Sequence, residues 1–175
     1  KEQCGNIVEI GVARGMTTRF LAEHLIKEGL HESLQLYALD TFSSFTSIDL
    51  RYEIENRNKL MSDLRGFEYN DFGRWKSNFA AYSFVTAIQT DCSEYNYSAI
   101  APIKITFLDV DLYLPTIKTL PKVYDATVSG GVILVDDVLE DTQYDGAYEA
   151  YMQFCEERKI CPKIIGNKCG IIYKP

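Results

Sequence analysis

The sequence predicts an α/β domain: a doubly wound, mostly parallel sheet with helices on both faces. Three observations carry that expectation. Short apolar runs alternate along the chain with amphipathic stretches of helical length. The first run, Asn6-Ile7-Val8-Glu9-Ile10, passes straight into the glycine turn Gly11-Val12-Ala13-Arg14-Gly15 and then into a helix. Later runs end in acids, at Asp40, at Asp109 with Asp111, and at Asp136 with Asp137. In a right-handed βαβ succession the carboxyl ends of neighbouring strands face one crevice, so these acids are expected to share a rim.

The first strand rests on Ile7, Val8 and Ile10, and Gly11 follows where the chain turns. A helix opens near Thr17. Phe20, Leu21, Leu25 and Ile26 are expected as its apolar side, Glu23 and Lys27 as a solvent-side pair, and Gly29 as its stop. A turn of this kind brings backbone N–H groups and the positive end of the helix to a ligand, and Gly15 is expected to keep a side chain out of the ligand's path. A nucleotide-like ligand is therefore expected. Dinucleotide binding requires GxGxxG, and residue 13 is Ala. The stretch spells ExGxxxG instead, which resembles motif I of the class I S-adenosylmethionine (SAM) methyltransferases. A carboxylate at Glu9 suits a cofactor with an ammonium and a sulfonium, whereas it would repel a pyrophosphate.

The second strand, 34–39, ends in Asp40-Thr41-Phe42. An acid at the end of the second strand in such sheets hydrogen-bonds a ribose diol, and the methyltransferase resemblance gives that role to Asp40. Gly11, Ala13, Gly15, Thr17, Thr41 and Phe42 join Glu9 and Asp40 in the expected cofactor site. The segment 43–82 is long for one crossover. It holds a polar helical run at 48–64 and a short helix at 76–81. Part of it is expected to form a lid over the acceptor site, with Phe67, Tyr69, Phe72 and Trp75 as apolar surface; docking of these aromatics on the core is the other reading. The third strand is 84–88. In the resembled superfamily the chain after it lies against adenine, which implies contacts from Asp91 and Cys92.

The fourth strand, 103–110, leads into Asp109-Val110-Asp111. In an extended backbone both acids point to the same side. Pro115 and Pro121 suggest a helix that starts and then kinks or restarts. The fifth strand, 132–135, ends in Asp136-Asp137. Four acids at one rim make an oxygen-only donor set suited to Mg²⁺ or Ca²⁺; caps and loop contacts without any ion are the alternative. An amphipathic helix from about residue 145 carries Ala147, Tyr148, Tyr151, Phe154 and Cys155, and Tyr148 and Tyr151 are candidates for an acceptor pocket or for core. Two short strands, 163–165 and 170–173, are joined too tightly for a crossover and must pair antiparallel.

Phe107-Leu108-Asp109-Val110-Asp111-Leu112-Tyr113-Leu114-Pro115-Thr116, Gly130 through Asp137, and Gly146-Ala147 together resemble the macrocin O-methyltransferase (TylF-like) family. The resemblance covers most of the chain and is poor in the lid segment. It implies a Rossmann-like seven-stranded sheet and SAM- and Mg²⁺-dependent methylation of hydroxyls on sugars or other small polar acceptors. It also implies metal ligation by Asp109, Asp136 and Asp137, with Asp109 reaching the cofactor. Related catechol and caffeoyl-CoA enzymes carry a Lys shortly after the first metal Asp; here that place offers Asp111, with no Lys or His close in sequence. Asp111 is therefore expected as the catalytic base or a further ligand beside Asp109. A metal-independent methyltransferase and a non-catalytic SAM-binding module are the competing readings.

Composition sets the remaining bounds. The 175 residues fit one domain, 1–175, with a substantial core. The chain starts almost directly on the first strand, from which an absent N-terminal part is expected. A net charge of −7 and no basic cluster among aromatics argue against a nucleic-acid partner. No membrane-length apolar run or signal peptide is present. The cysteines, Cys4, Cys92, Cys155, Cys161 and Cys169, are odd in number and form no CxxC pair, so they are expected reduced and the compartment cytoplasmic. The oligomeric state is left open, a homo-oligomer included.

Overall fold

The computed structural model describes residues 4–175. Its strands are β1 (Asn6–Ile10), β2 (Leu36–Asp40), β3 (Val85–Gln89), β4 (Ile103–Leu108), β5 (Thr127–Val135), β6 (Ile164–Ile165) and β7 (Cys169–Tyr173), joined in one sheet of order β3-β2-β1-β4-β5-β7-β6. The pairings from β3 through β5 are parallel. β7 runs antiparallel to both β5 and β6. The doubly wound seven-stranded sheet with an antiparallel closing hairpin is thus the fold present.

Strand alternation divides the core into two layers. Val8, Ile10, Leu39, Leu108, Ile133 and Val135 face one side, and Ile7, Leu36 and Ala38 the other. Helices α4 (Tyr113–Ala126) and α5 (Gly146–Glu157) cover the first layer, through Leu120, Val123, Tyr151 and Phe154. Helices α1 (Met16–Lys27) and α3 (Phe72–Phe79) cover the second, through Ala22, Leu25, Trp75 and Phe79. A further helix, α2 (Ser47–Arg57), lies between β2 and α3 in sequence.

Several expected elements differ in detail. On α1 the buried side chains are Thr18, Ala22 and Leu25, whereas Phe20 is 72% exposed and Ile26 is also exposed. The face toward the sheet is the one that continues from Gly15, where a Cβ would lie 2.5 Å from the Phe79 ring. Glu23 pairs with Arg19 at 3.1 Å rather than with Lys27, and it also accepts the Tyr82 hydroxyl at 2.5 Å. The polar run from 48 stops at Arg57, because Asn58 adopts φ +55 and ends the helix in the left-handed conformation Asn tolerates. α3 begins at Phe72, four residues before the expected 76, with the Asp71 side chain accepting the Arg74 amide at 2.7 Å. Pro121 neither kinks α4 into two helices nor restarts it; one helix runs through.

Tyr151 is wholly buried, and its hydroxyl lies 2.9 Å from the Lys163 carbonyl and 3.2 Å from the Ile171 carbonyl. It ties α5 to the closing hairpin and is core. Tyr148 points instead to Glu140 on the outer surface. Neither reaches the cavity described below. All five cysteines are unpaired. Among the described residues no helix is long and apolar enough to cross a membrane.

Candidate active site

A cavity of about 490 Å³ opens above the carboxyl ends of β1, β2, β4 and β5, a size usual for sites that enclose a small ligand. Glu9, Asp40 and Asp109 all line it, as do Asp91, Asp111, Asp136 and Asp137. The acids at successive strand tips therefore meet in one cleft.

The rim is built from tight turns. Backbone φ is positive at Ala13 after β1, Phe42 after β2, Asp111 after β4 and Asp137 after β5. Non-glycine residues adopt this conformation at some cost, and they do so most often where a site needs it. Gly11 has a separate reason to be glycine: at φ +82 a Cβ would fall 1.8 Å from the Asp109 carbonyl oxygen. Its absence lets β1 and β4 approach at the cavity floor, where the Asp109 amide donates to the Ile10 carbonyl at 2.8 Å. Gly15 clears space for Trp75 and Phe79, and its atoms do not line the cavity.

Asp40 organises the glycine turn. Its Oδ2 accepts the Val12 and Ala13 amides at 2.8 and 3.0 Å, and its Oδ1 accepts the Phe42 amide at 2.6 Å. A carboxylate offers about four lone-pair sites, so it holds the loop and retains capacity toward the cavity it lines. Thr41 and Thr17 also line the cavity. Phe42 does not: its ring packs on Phe72 and Trp75 at centroid distances of 4.8 and 5.5 Å. The segment 43–82 accordingly divides. Phe72 and Trp75 dock on the core, while Phe67 and Tyr69 line the cavity, with Arg14 stacked 4.0 Å from the Tyr69 ring centroid.

Glu9 is 1% exposed, and its Oε2 has no hydrogen-bond partner. Burial pushes its carboxyl up to about 8, with the Asp109 and Asp40 charges adding to the rise. Across the cleft, burial and then the Asp136 and Asp137 charges push Asp109 up to about 7. Asp111 stands well above the carboxylate range because it is desolvated beside Asp109 and Asp137. One carboxylate oxygen each from Asp109, Asp111 and Asp137 lies within 4.8 Å of the others. The set is all-oxygen, converging and mutually repelling, which fits a hard divalent cation.

Two features of this cluster bear on the expected ligand set. Asp109 and Asp111 meet not because the strand stays extended but because Asp111 turns left-handed at φ +62. Asp136, expected as a ligand with Asp109 and Asp137, lies outside the converging trio. Its Oδ2 accepts the Lys168 ammonium at 2.9 Å, and the same ammonium donates to Asp137 Oδ1 at 2.7 Å.

Lys168 is the site residue that sequence reasoning missed. It is distant in sequence from the acids, but β7 pairs antiparallel with β5 through Val135 and Gly170, which places the β6–β7 turn at the tips of β4 and β5. The antiparallel reading of the hairpin held part of that signal, and the place of β7 beside β5 supplies the rest. Partial burial works against its charge, yet the bonds to Asp137 and Asp136 hold the ammonium well above its ordinary value.

Behind the rim lies a second charged group. Glu53 is 1% exposed, and its Oε1 accepts the Tyr113 amide at 2.8 Å, while its Oε2 accepts Arg57 at 2.8 Å. Arg57 continues to Asp145 at 2.7 Å and to Glu149. α2 is thereby fastened to the starts of α4 and α5, on either side of the Asp111 turn. The Ala147 amide closes that turn by donating to the Asp111 carbonyl at 3.1 Å.

Comparison with known proteins gives a family and a shared fold. A family model described as Macrocin-O-methyltransferase (TylF) matches residues 1–169. No curated protein matches the sequence. Among solved structures, the O-methyltransferase NovP superposes with a TM-score of 0.76 at 19% identity, covering 98% of this chain and 72% of that one. The calicheamicin methyltransferase CalS11 gives 0.76 at 15% identity, over 97% and 72%. An rRNA methylase from Streptococcus thermophilus gives 0.56 at 15%, over 95% and 83%. At these identities the superpositions show a shared fold.

Proposed function

The chain belongs to the macrocin O-methyltransferase (TylF) family of O-methyltransferases, and from that premise we propose that it transfers a methyl group from SAM to a hydroxyl of a sugar or other small polar acceptor, with Mg²⁺ assistance. The observation that carries the reading is the convergence of Glu9, Asp40 and Asp109 on one cavity beside the start of α1. CalS11, which has this fold, is a TDP-rhamnose 3′-O-methyltransferase, and that supports a sugar as the acceptor class.

Each part of the cofactor has a suitable partner. The unpartnered Glu9 Oε2 is a buried acceptor placed for the amino-acid end, where an ammonium would satisfy it. We assign the ribose hydroxyls to Asp40, whose carboxylate three backbone amides hold in the cavity wall. Asp91 and Cys92 line the stretch assigned to adenine. We assign 1–175 to a single methyltransferase domain in which part of 43–82 covers the acceptor, through Phe67 and Tyr69.

An alcohol is a poor nucleophile until its proton leaves. When bound, a divalent cation lowers the pKa of a hydroxyl; Asp109 and Asp137, with Asp136 or Asp111, are the residues that would hold it. Asp111, beside Asp109 and Asp137 just past the tip of β4, serves as the proton acceptor or as a further ligand. Phe67 and Tyr69 exclude water from the acceptor side.

Titration calorimetry with SAM, with and without Mg²⁺ and EDTA, tests cofactor and cation separately. A coupled homocysteine-release assay over a panel of sugars tests turnover. Absence of SAM binding would remove the assignment, and SAM binding without turnover on any acceptor would favour the non-catalytic module.

A further inference from the structure

We propose that Lys168 is a tethered cation that occupies the acid rim before a metal arrives and must be displaced for a divalent ion to bind. The inference rests on the metal-assisted reading above. Its ammonium bridges Asp136 and Asp137, and Asp137 is also a member of the converging trio with Asp109 and Asp111. One positive charge therefore already sits against a donor that the divalent ion needs.

The tether and the head of this side chain are held differently. The Lys168 carbonyl accepts the Val138 amide at 2.7 Å, which pins the backbone beside Asp137. The side chain is 49% exposed, and its four-carbon stem can swing the ammonium into solvent without moving the hairpin. A divalent ion brings twice the charge to a cluster that shares Asp137 with the lysine, so exchange is favoured once the ion is present. Lys168 cannot serve as a base while two carboxylates hold its proton. Before exchange it offsets repulsion among the acids at the strand tips.

Calorimetric titration of the full chain with Mg²⁺ alone, in the absence of SAM and acceptor, reads this directly. Both ion pairs are partly exposed and individually modest, so Lys168→Met should bind Mg²⁺ roughly five- to tenfold more tightly than the wild type. Lys168→Arg should bind at or below wild-type affinity. Lys163→Met removes a charge from the same hairpin, where Lys163 faces the Tyr173 ring, and should leave affinity within about twofold. Without metal, Lys168→Met should melt lower than the wild type and recover more on adding Mg²⁺; Lys168→Gln replaces it if the methionine variant does not fold. Equal or weaker Mg²⁺ binding by the Met and Gln variants overturns the displacement role while leaving the metal reading intact. A gain of the same size in Lys163→Met overturns it as well, by assigning the effect to net charge. Lack of Mg²⁺ binding by every protein overturns both readings.

Discussion

Asp40 Oδ2 receives the Val12 amide at 2.8 Å, across 28 residues of sequence. The acid at the tip of β2 thus shapes the loop at the tip of β1. Replacement should affect the cofactor site in two ways that can be separated. Asp40→Asn keeps one oxygen for the loop but loses the charge, and Asp40→Ala loses both. S-adenosylhomocysteine affinity, measured by calorimetry, should fall roughly 10-fold in the first and 100-fold or more in the second.

Asp111→Asn should lower turnover by about 10²- to 10⁴-fold, the range for loss of a general base, and leave SAM binding intact. Asn tolerates the left-handed turn that Asp111 makes, so the fold should persist. Near-normal turnover in a homocysteine-release assay would take Asp111 out of that role.

Glu9 gives a pH dependence with a definite sign. Its carboxyl rises from 4.5 to about 8 on folding, so the folded state favours its protonated form. That contribution is fully present below pH 4.5 and is lost as pH rises through 8, amounting to a few kcal/mol. Urea midpoints of the cofactor-free protein should fall across this window, and Glu9→Gln should flatten the slope.

Glu53→Ala should cost about 1–3 kcal/mol, because Arg57 loses one of its three acidic partners and the buried Tyr113 amide loses its acceptor. Turnover should fall along with thermal stability, since the lost bond secures the start of α4 just past Asp111. Glu53→Gln retains an oxygen for Tyr113 and should recover part of both.

Much of this organisation was legible in the residues. The apolar runs at 6–10 and 103–110 and the closing hairpin are local signals, and so are the acids at strand ends. What escaped was decided by tertiary contacts. Phe20 looks like a core residue by spacing, but the seat of Gly15 on Trp75 and Phe79 turns the α1 face toward Thr18 and Ala22. Phe42 follows a cofactor-type acid yet serves the core, because its own left-handed backbone sends the ring to Phe72. Asn58 and Asp71 were readable stop and start signals for α2 and α3. Lys168 needed strand order as well as strand identity, since its approach depends on β7 lying beside β5.

The position of the closing hairpin also orders events during synthesis. Lys168 emerges 32 residues after Asp136, so the lysine that bridges Asp136 and Asp137 is made after every acid of the rim. Domains generally fold as units, so the charge balance of the rim is reached only when the closing hairpin is in place. Maturation of the pocket would coincide with docking of β7, which makes translation of the hairpin the step at which the nascent enzyme settles.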